Sequence, residues 1–245
     1  MKAIEIKGLT KRYKTKTAVD HINLTVEEGE LFSLLGVNGA GKTTTIRMLS
    51  CLSEPTEGEA LVMGFDVRKQ QAEVKARIGI SPQDTAVAEN LTVRENLEFM
   101  AEVYGFNAEK IQGRVQEMIR IFHMEEVEKS LAKTLSGGWK RKLSIAMALI
   151  GEPKLLFLDE PTLGLDVLAR RELWRTIEDL KGRMTIVLTT HYMEEAEELS
   201  DRIAILIDGR IRAVGTLNEI EAIAGEKGLE NAFVAIAEKG GNVHA

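Results

Sequence analysis

The chain has 245 residues, 44% hydrophobic and 29% charged, with a formal net charge of −6 and a single cysteine. That balance describes a globular protein with ample material for a core, in one large domain or two small ones, and its acidity argues against a general binder of nucleic acid. No apolar run approaches the roughly 18 residues of a membrane span, Met1–Glu5 has no signal-peptide core, and the lone Cys51, expected as a buried apolar group, has no internal disulfide partner, which suits a reducing cytosolic setting.

Residues 3–7 alternate, with Ile4 and Ile6 apolar and Glu5 and Lys7 polar, which predicts a half-exposed strand. Ile22–Val26 alternates likewise, and Glu28-Gly29 turns it into the apolar run Leu31–Leu35. Tyr13 falls in the polar stretch between the first two strands, placed equally well to stack on a base or to cover a sheet edge. Next comes Gly36-Val37-Asn38-Gly39-Ala40-Gly41-Lys42-Thr43-Thr44, which matches G-x-x-x-x-G-K-[ST] between a strand and a helix start. A phosphate chain needs many donors in little space. Gly36, Gly39 and Gly41 let backbone N–H groups converge without Cβ clashes, and Asn38, Ala40 and Thr44 complete the cradle. The helix beginning near Lys42 adds its unpaired N–H groups; Lys42 reaches the β- and γ-phosphates, and the Thr43 hydroxyl ligates Mg²⁺. The stretch predicts a nucleoside triphosphate site, against the blander reading of a glycine-rich turn.

After the first helix, Pro55–Gly58 predicts a turn, Ala60–Met63 a short strand, residues 68–76 a helix and Ile78–Ser81 a strand ending at Pro82-Gln83. Residues 84–134 carry no strand pattern. Thr92-Val93-Arg94-Glu95 reads as a capping box opening a helix, and a second helix runs from Ala108 to Phe122, so an α-helical insertion interrupts an α/β domain. Leu135-Ser136-Gly137-Gly138 opens another helix that ends before Pro153. Leu155–Leu158 and Met184–Leu188 read as buried strands, with a helix over 166–181 between them and an acidic helix Tyr192–Leu199 after the second. Asp208-Gly209 between Ile203–Ile207 and Arg210–Val214 is a hairpin signal. One or two short helices and a frayed tail are expected at the end.

Two further clusters carry chemistry. Asp159-Glu160 follows a buried strand: beside a phosphate loop, Asp159 can hold Mg²⁺ and Glu160 can take a proton from an attacking water. The plain alternative is two acids at an ordinary strand end. Ser136-Gly137-Gly138 offers a hydroxyl and two unobstructed N–H groups at a helix start, a second anion site or simply an N-cap. With one phosphate loop already present, a second such site suggests a phosphate approached from two sides.

On these motifs, in this order, the chain resembles the nucleotide-binding subunits of ABC transporters over residues 2–220; Leu135-Ser136-Gly137-Gly138 matches that family's signature. The resemblance implies a P-loop NTPase core of the α/β class with a mixed sheet, an N-terminal antiparallel β subdomain and an inserted helical subdomain at about residues 84–150. It divides the chain into an ATPase domain, 1–220, and a short helical extension and tail, 221–245. By the same resemblance ATP and Mg²⁺ bind, Tyr13 stacks on adenine, Gln83 touches Mg²⁺ or the attacking water, His191 contacts the γ-phosphate, and Leu165-Asp166 belongs to a loop crossing a dimer. A second ABC subunit, identical or different, then completes composite ATP sites. An integral-membrane permease is the other partner, with the chain peripheral on the cytoplasmic face.

Leu91–Asn96 and Thr190–Ala196 look most like ABC-2-type subunits, mainly exporters. The chain departs from the pattern at Val37, where Pro is usual, at Leu163, where Ser is frequent, and at Trp139, which replaces a glutamine. The rival reading is a soluble ABC-type ATPase acting on a macromolecular complex; neither sustained heptads nor a basic balance favours it.

Overall fold

Three runs that read as buried strands lie side by side, and the molecule is layered around them. Among residues 1–241, which the computed structural model describes, the chain forms β1 (Lys2–Tyr13), β2 (Lys16–Glu27), β3 (Leu31–Leu35), α1 (Lys42–Leu49), β4 (Glu57–Val62), β5 (Phe65–Asp66), α2 (Gln71–Lys75) and β6 (Ile78–Ser81). The helical stretch follows, with α3 (Val93–Val103), α4 (Ala108–Ile121) and α5 (Gly137–Leu149). Then come β7 (Leu155–Asp159), α6 (Val167–Leu180), β8 (Thr185–Thr190), α7 (Met193–Leu199), β9 (Arg202–Ile207), β10 (Arg210–Gly215), α8 (Leu217–Ala224) and α9 (Leu229–Gly241).

The larger sheet has the order β10-β9-β3-β8-β7-β6, parallel throughout except for β10, which pairs antiparallel with β9. The expected mixed sheet is therefore present. Its central strands are apolar along their length because both faces are covered. Leu31, Leu156, Leu158, Ile186 and Leu188 enter one core with residues of α3, α4, α5 and α6. Phe32, Leu34, Leu155, Phe157 and Val187 enter another with Ile46 and Leu49 of α1 and the apolar face of the second sheet. That second sheet, β2-β1-β4-β5, is antiparallel.

Several local expectations change. β1 and β2 are longer than their apolar alternation suggests, since Lys11↔Val19, Arg12↔Thr17 and Tyr13↔Lys16 continue the ladder through polar residues; Tyr13 ends β1 and does not stand in a loop. The helix expected over 68–76 shrinks to α2, because the Asp66 carboxylate accepts from the Arg68 and Lys69 N–H groups and holds a turn there. Cys51 lies past α1, half-buried in a turn at φ 59°. The boundary at 220/221 falls inside α8, which packs with α9 against β9, β10 and α7. The tail at Asn242–Ala245 lies outside the described residues.

Within the insertion the capping box forms as expected, Thr92 and Glu95 bonding reciprocally. Beside it Asn96, fully buried, accepts from the Ala88 N–H and donates to the carbonyls of Ala88 and Thr92, stapling the loop to α3. An Asn96→Ala chain leaves those buried groups unpaired and is expected to lose about 1–3 kcal/mol, read as a lower urea midpoint with an unchanged m-value.

Candidate functional site

Because β3, β7 and β8 are parallel and in register at Leu35↔Thr190 and Asp159↔Thr189, their C-terminal ends share one edge, the usual place for a ligand in an open α/β sheet. The phosphate loop leaves β3 there. Its glycines answer a steric demand beyond N–H convergence: a Cβ on Gly36 would stand 2.3 Å from the Leu206 carbonyl oxygen, and one on Gly41 2.4 Å from that of Ala18. Gly41 also has φ 108°. It is the N-cap of α1 and offers no side-chain bond, so the first N–H groups of the helix stay available.

Lys42 Nζ donates to the Gly36 carbonyl at 2.6 Å and meets Glu160 Oε1 at 3.0 Å, with both side chains buried. The other Glu160 oxygen is 2.8 Å from His191 Nδ1. Glu160 itself is left-handed, φ 49°, a conformation that turns its carboxylate back toward Lys42 and His191. Asp159 Oδ1 accepts from the Thr43 hydroxyl at 3.1 Å and from the Thr189 hydroxyl at 2.6 Å. A cavity of about 520 Å³ opens over these groups; Asn38–Thr44, Tyr13, Gln83, Glu160 and His191 line it, with Lys16, Ala18 and Leu163. Thus the structure brings together almost every residue predicted for the nucleotide.

The signature is the exception. Ser136, Gly137 and Gly138 are not on the cavity wall; the Ser136 hydroxyl caps α5, accepting from the Trp139 N–H, and a Cβ on Gly138 would stand 3.4 Å from the Ala169 side chain. Asp166 caps α6 by accepting from the Leu168 and Ala169 N–H groups, leaving Val167 and Leu168 exposed. Trp139 packs at the rim of the core, with Lys142 Nζ 4.5 Å from its ring centre, and Lys142 pairs with Glu172 of α6 at 2.8 Å. A single chain therefore does not place the signature against its own phosphate loop.

Sequence reasoning missed three contributors. Thr189 shares Asp159 with Thr43; a pair of threonines ending an apolar strand was the available signal. Arg141 donates to the Pro82 carbonyl at 2.6 Å and to that of Gln83, tying the start of α5 to the glutamine; burial pulls its pKa down, against the pull of Asp159, Asp84 and Glu195. Glu195 is buried and accepts from Thr162 and Trp174. For a metal, the Thr43 hydroxyl and Asp159 carboxylate already touch, and the Gln83 amide shares the cavity. This hard-oxygen set, with water completing it, fits Mg²⁺.

The model of the family described as ABC transporter matches residues 19–163. ABC transporter A family member 9 of Dictyostelium discoideum is 44% identical over 223 residues, 90% of this chain but only 26% of that protein's length. The human phospholipid-transporting ATPase ABCA3 is 42% identical over 217 residues, so this chain spans 13% of it. The daunorubicin resistance ATP-binding protein DrrA3 of Streptomyces coeruleorubidus is 40% identical over 239 residues, 97% of this chain and 75% of the relative. Among solved structures, an ATP-binding subunit of an ABC transporter superposes with a TM-score of 0.85 at 32% identity, covering 96% of this chain and 99% of the other. A dimeric ATP-binding cassette in a post-hydrolysis state with ADP and Pi gives 0.79 at 27%, covering 87% and 98%. With its phosphate loop, paired acids and histidine on one sheet edge and its signature at the start of α5, the chain belongs to the ABC transporter family and carries that family's ATP-binding domain.

Proposed function

We propose that the chain is the ATP-hydrolysing subunit of an ABC transporter, driving a separate membrane permease in the direction of export. The observation that carries this reading is the meeting of Lys42, Glu160 and His191 in one cavity with the phosphate loop, with Asp159 bonded to Thr43 at its edge. The triphosphate lies along the loop N–H groups and the start of α1, with the base toward Tyr13, whose ring is half-exposed at the mouth and has Lys11 Nζ 5.1 Å from its centre. Thr43, Asp159 and Gln83 are the residues to hold Mg²⁺, which supplies charge neutralisation to the phosphates. Phosphate oxygens compete with Glu160 for Lys42 Nζ, which frees the Glu160 carboxylate to take a proton from water. His191, bonded to Glu160 through Nδ1, presents its other ring nitrogen to the γ-phosphate.

A signature that does not line the cavity of its own loop needs a second subunit to bring one across, and the solved relative with ADP and Pi is dimeric. Export is favoured by relatives named for daunorubicin resistance and by the probable multidrug ABC transporter ATP-binding protein YbhF of Escherichia coli. No described helix is long and apolar enough to cross a membrane; in this reading the permease supplies the membrane path. Its docking surface is the groove of about 320 Å³ beside α3, where Leu52 and Tyr104 are lining residues and Phe99 and Val103 stand exposed nearby. The permease places the chain peripherally on the cytoplasmic face.

Lys42→Ala should weaken ATP binding by about tenfold or more and abolish hydrolysis, as a charged hydrogen-bond donor to phosphate is lost. Titration with a fluorescent nucleotide and phosphate release check it, and wild-type turnover would sink the site assignment. Glu160→Gln should keep affinity, slow hydrolysis by about 10²-fold or more and let ATP accumulate a dimer; light scattering that shows only monomer would count against the composite site. Phe99→Glu with Val103→Glu should abolish co-purification with the permease in detergent while ATP affinity stays unchanged. Intact co-purification would move the docking surface elsewhere.

A further inference from the structure

Glu195 lies in the first turn of α7, four residues past His191, and is fully buried. Its Oε1 accepts from the Thr162 hydroxyl at 2.8 Å and from the Trp174 indole N–H at 3.0 Å, while Oε2 is buried with no hydrogen-bond partner. Packing does not account for this choice of residue. An apolar side chain would fill the space without desolvating a carboxyl, and an idle buried oxygen calls for an explanation.

What Oε1 touches supplies one. Thr162 is two residues past Glu160, on the segment between β7 and α6; Trp174 is on α6; and α7 continues directly from His191. The Thr190 hydroxyl, on the residue before His191, also faces this carboxyl. Glu160 and His191 meet through their side chains, yet they belong to different crossovers of the sheet, and the Glu195 carboxyl is a bond between those crossovers. We propose that Glu195 is a positioning residue for hydrolysis, locking the backbones that carry Glu160 and His191 into one unit and so setting where both groups stand against the γ-phosphate. The inference rests on the roles given above to Glu160 and His191.

Burial pushes the Glu195 carboxyl up from the ordinary carboxylate range, against the pull of the nearby Thr190 hydroxyl and of the hydrogen bonds from Thr162 and Trp174, and the nearby charge of Glu160 pushes up as well. Oε2 is the oxygen with no hydrogen-bond partner. A glutamine, with an NH₂ group there and its oxygen in place of Oε1, keeps the lock.

The test compares Glu195→Gln, Glu195→Ala and Thr162→Val in the purified chain, with ATP affinity, kcat and a thermal melt measured for each. Glu195→Gln should turn over within about threefold of wild type, whereas Glu195→Ala should lose about ten- to a hundredfold in kcat with its ATP Kd nearly unmoved, the mark of misplaced catalytic groups. Thr162→Val, which removes one donor from Oε1, should lower kcat with Kd unchanged, and it carries the test alone if the alanine variant melts below assay temperature. Wild-type kcat in Glu195→Ala or in Thr162→Val overturns the proposal. So do equal losses in affinity and turnover, or a glutamine variant as slow as the alanine one. Glu160→Gln, assayed alongside, separates the two failures. If it turns over normally, the site assignment falls and this inference with it; if it is inactive while Glu195→Ala is normal, only this inference falls.

Discussion

Asp159 Oδ1 accepts from Thr43 on α1 and from Thr189 on β8, and this shared carboxylate oxygen sets the geometry of the whole edge. It fixes the ends of β7 and β8 and the first turn of the phosphate helix to a common point. The Glu160 N–H, 3.0 Å from the Thr189 hydroxyl, pins the next residue to the same place. With the strand end held, Glu160 tolerates its left-handed backbone, and Lys42 and His191 take its two oxygens. The Glu160 carboxylate is thus placed by strand register, not by a mobile loop.

The strands around that edge were legible because burial on both faces leaves an uninterrupted apolar run, as in Leu155–Leu158. The phosphate loop was legible because its demands are local: convergent N–H groups and small residues within nine positions. Periodicity fades where a strand is polar on both faces, which hid the end of the β1–β2 hairpin at Lys11–Lys16. Arg141 and Glu195 were illegible for another reason. Each is needed by a segment far away in sequence, Arg141 by Gln83 and Glu195 by Thr162, and no spacing rule connects them. Ser136 is a third case, since its motif is plain in the sequence but its N-cap role is all that one chain can display.

Between the nucleotide and the helical insertion, Arg141 grips the carbonyls of Pro82 and Gln83 from α5, while Asn96 grips the loop at Ala88 and Thr92 from α3. A shift at Gln83 therefore moves against the signature helix as well as along the chain. The groove near Phe99 and Val103 and the signature at Ser136 are borne by helices that share one core.

The position of β3 has a consequence for biosynthesis. Its neighbours are β8 and β9, and the Leu31 N–H bonds the Asp201 carboxylate 170 residues later. The backbone at Gly36 is closed over by Leu206. At ribosomal speed, roughly ten to thirty seconds separate the emergence of the phosphate loop from that of the strand that covers it. During that interval the loop lacks the backbone that closes over Gly36, and the edge of β3 that faces β9 has nothing of its own chain to pair with. A nascent chain interrupted before β9 is thus one that exposes an unpaired apolar strand edge beside an unfinished phosphate loop.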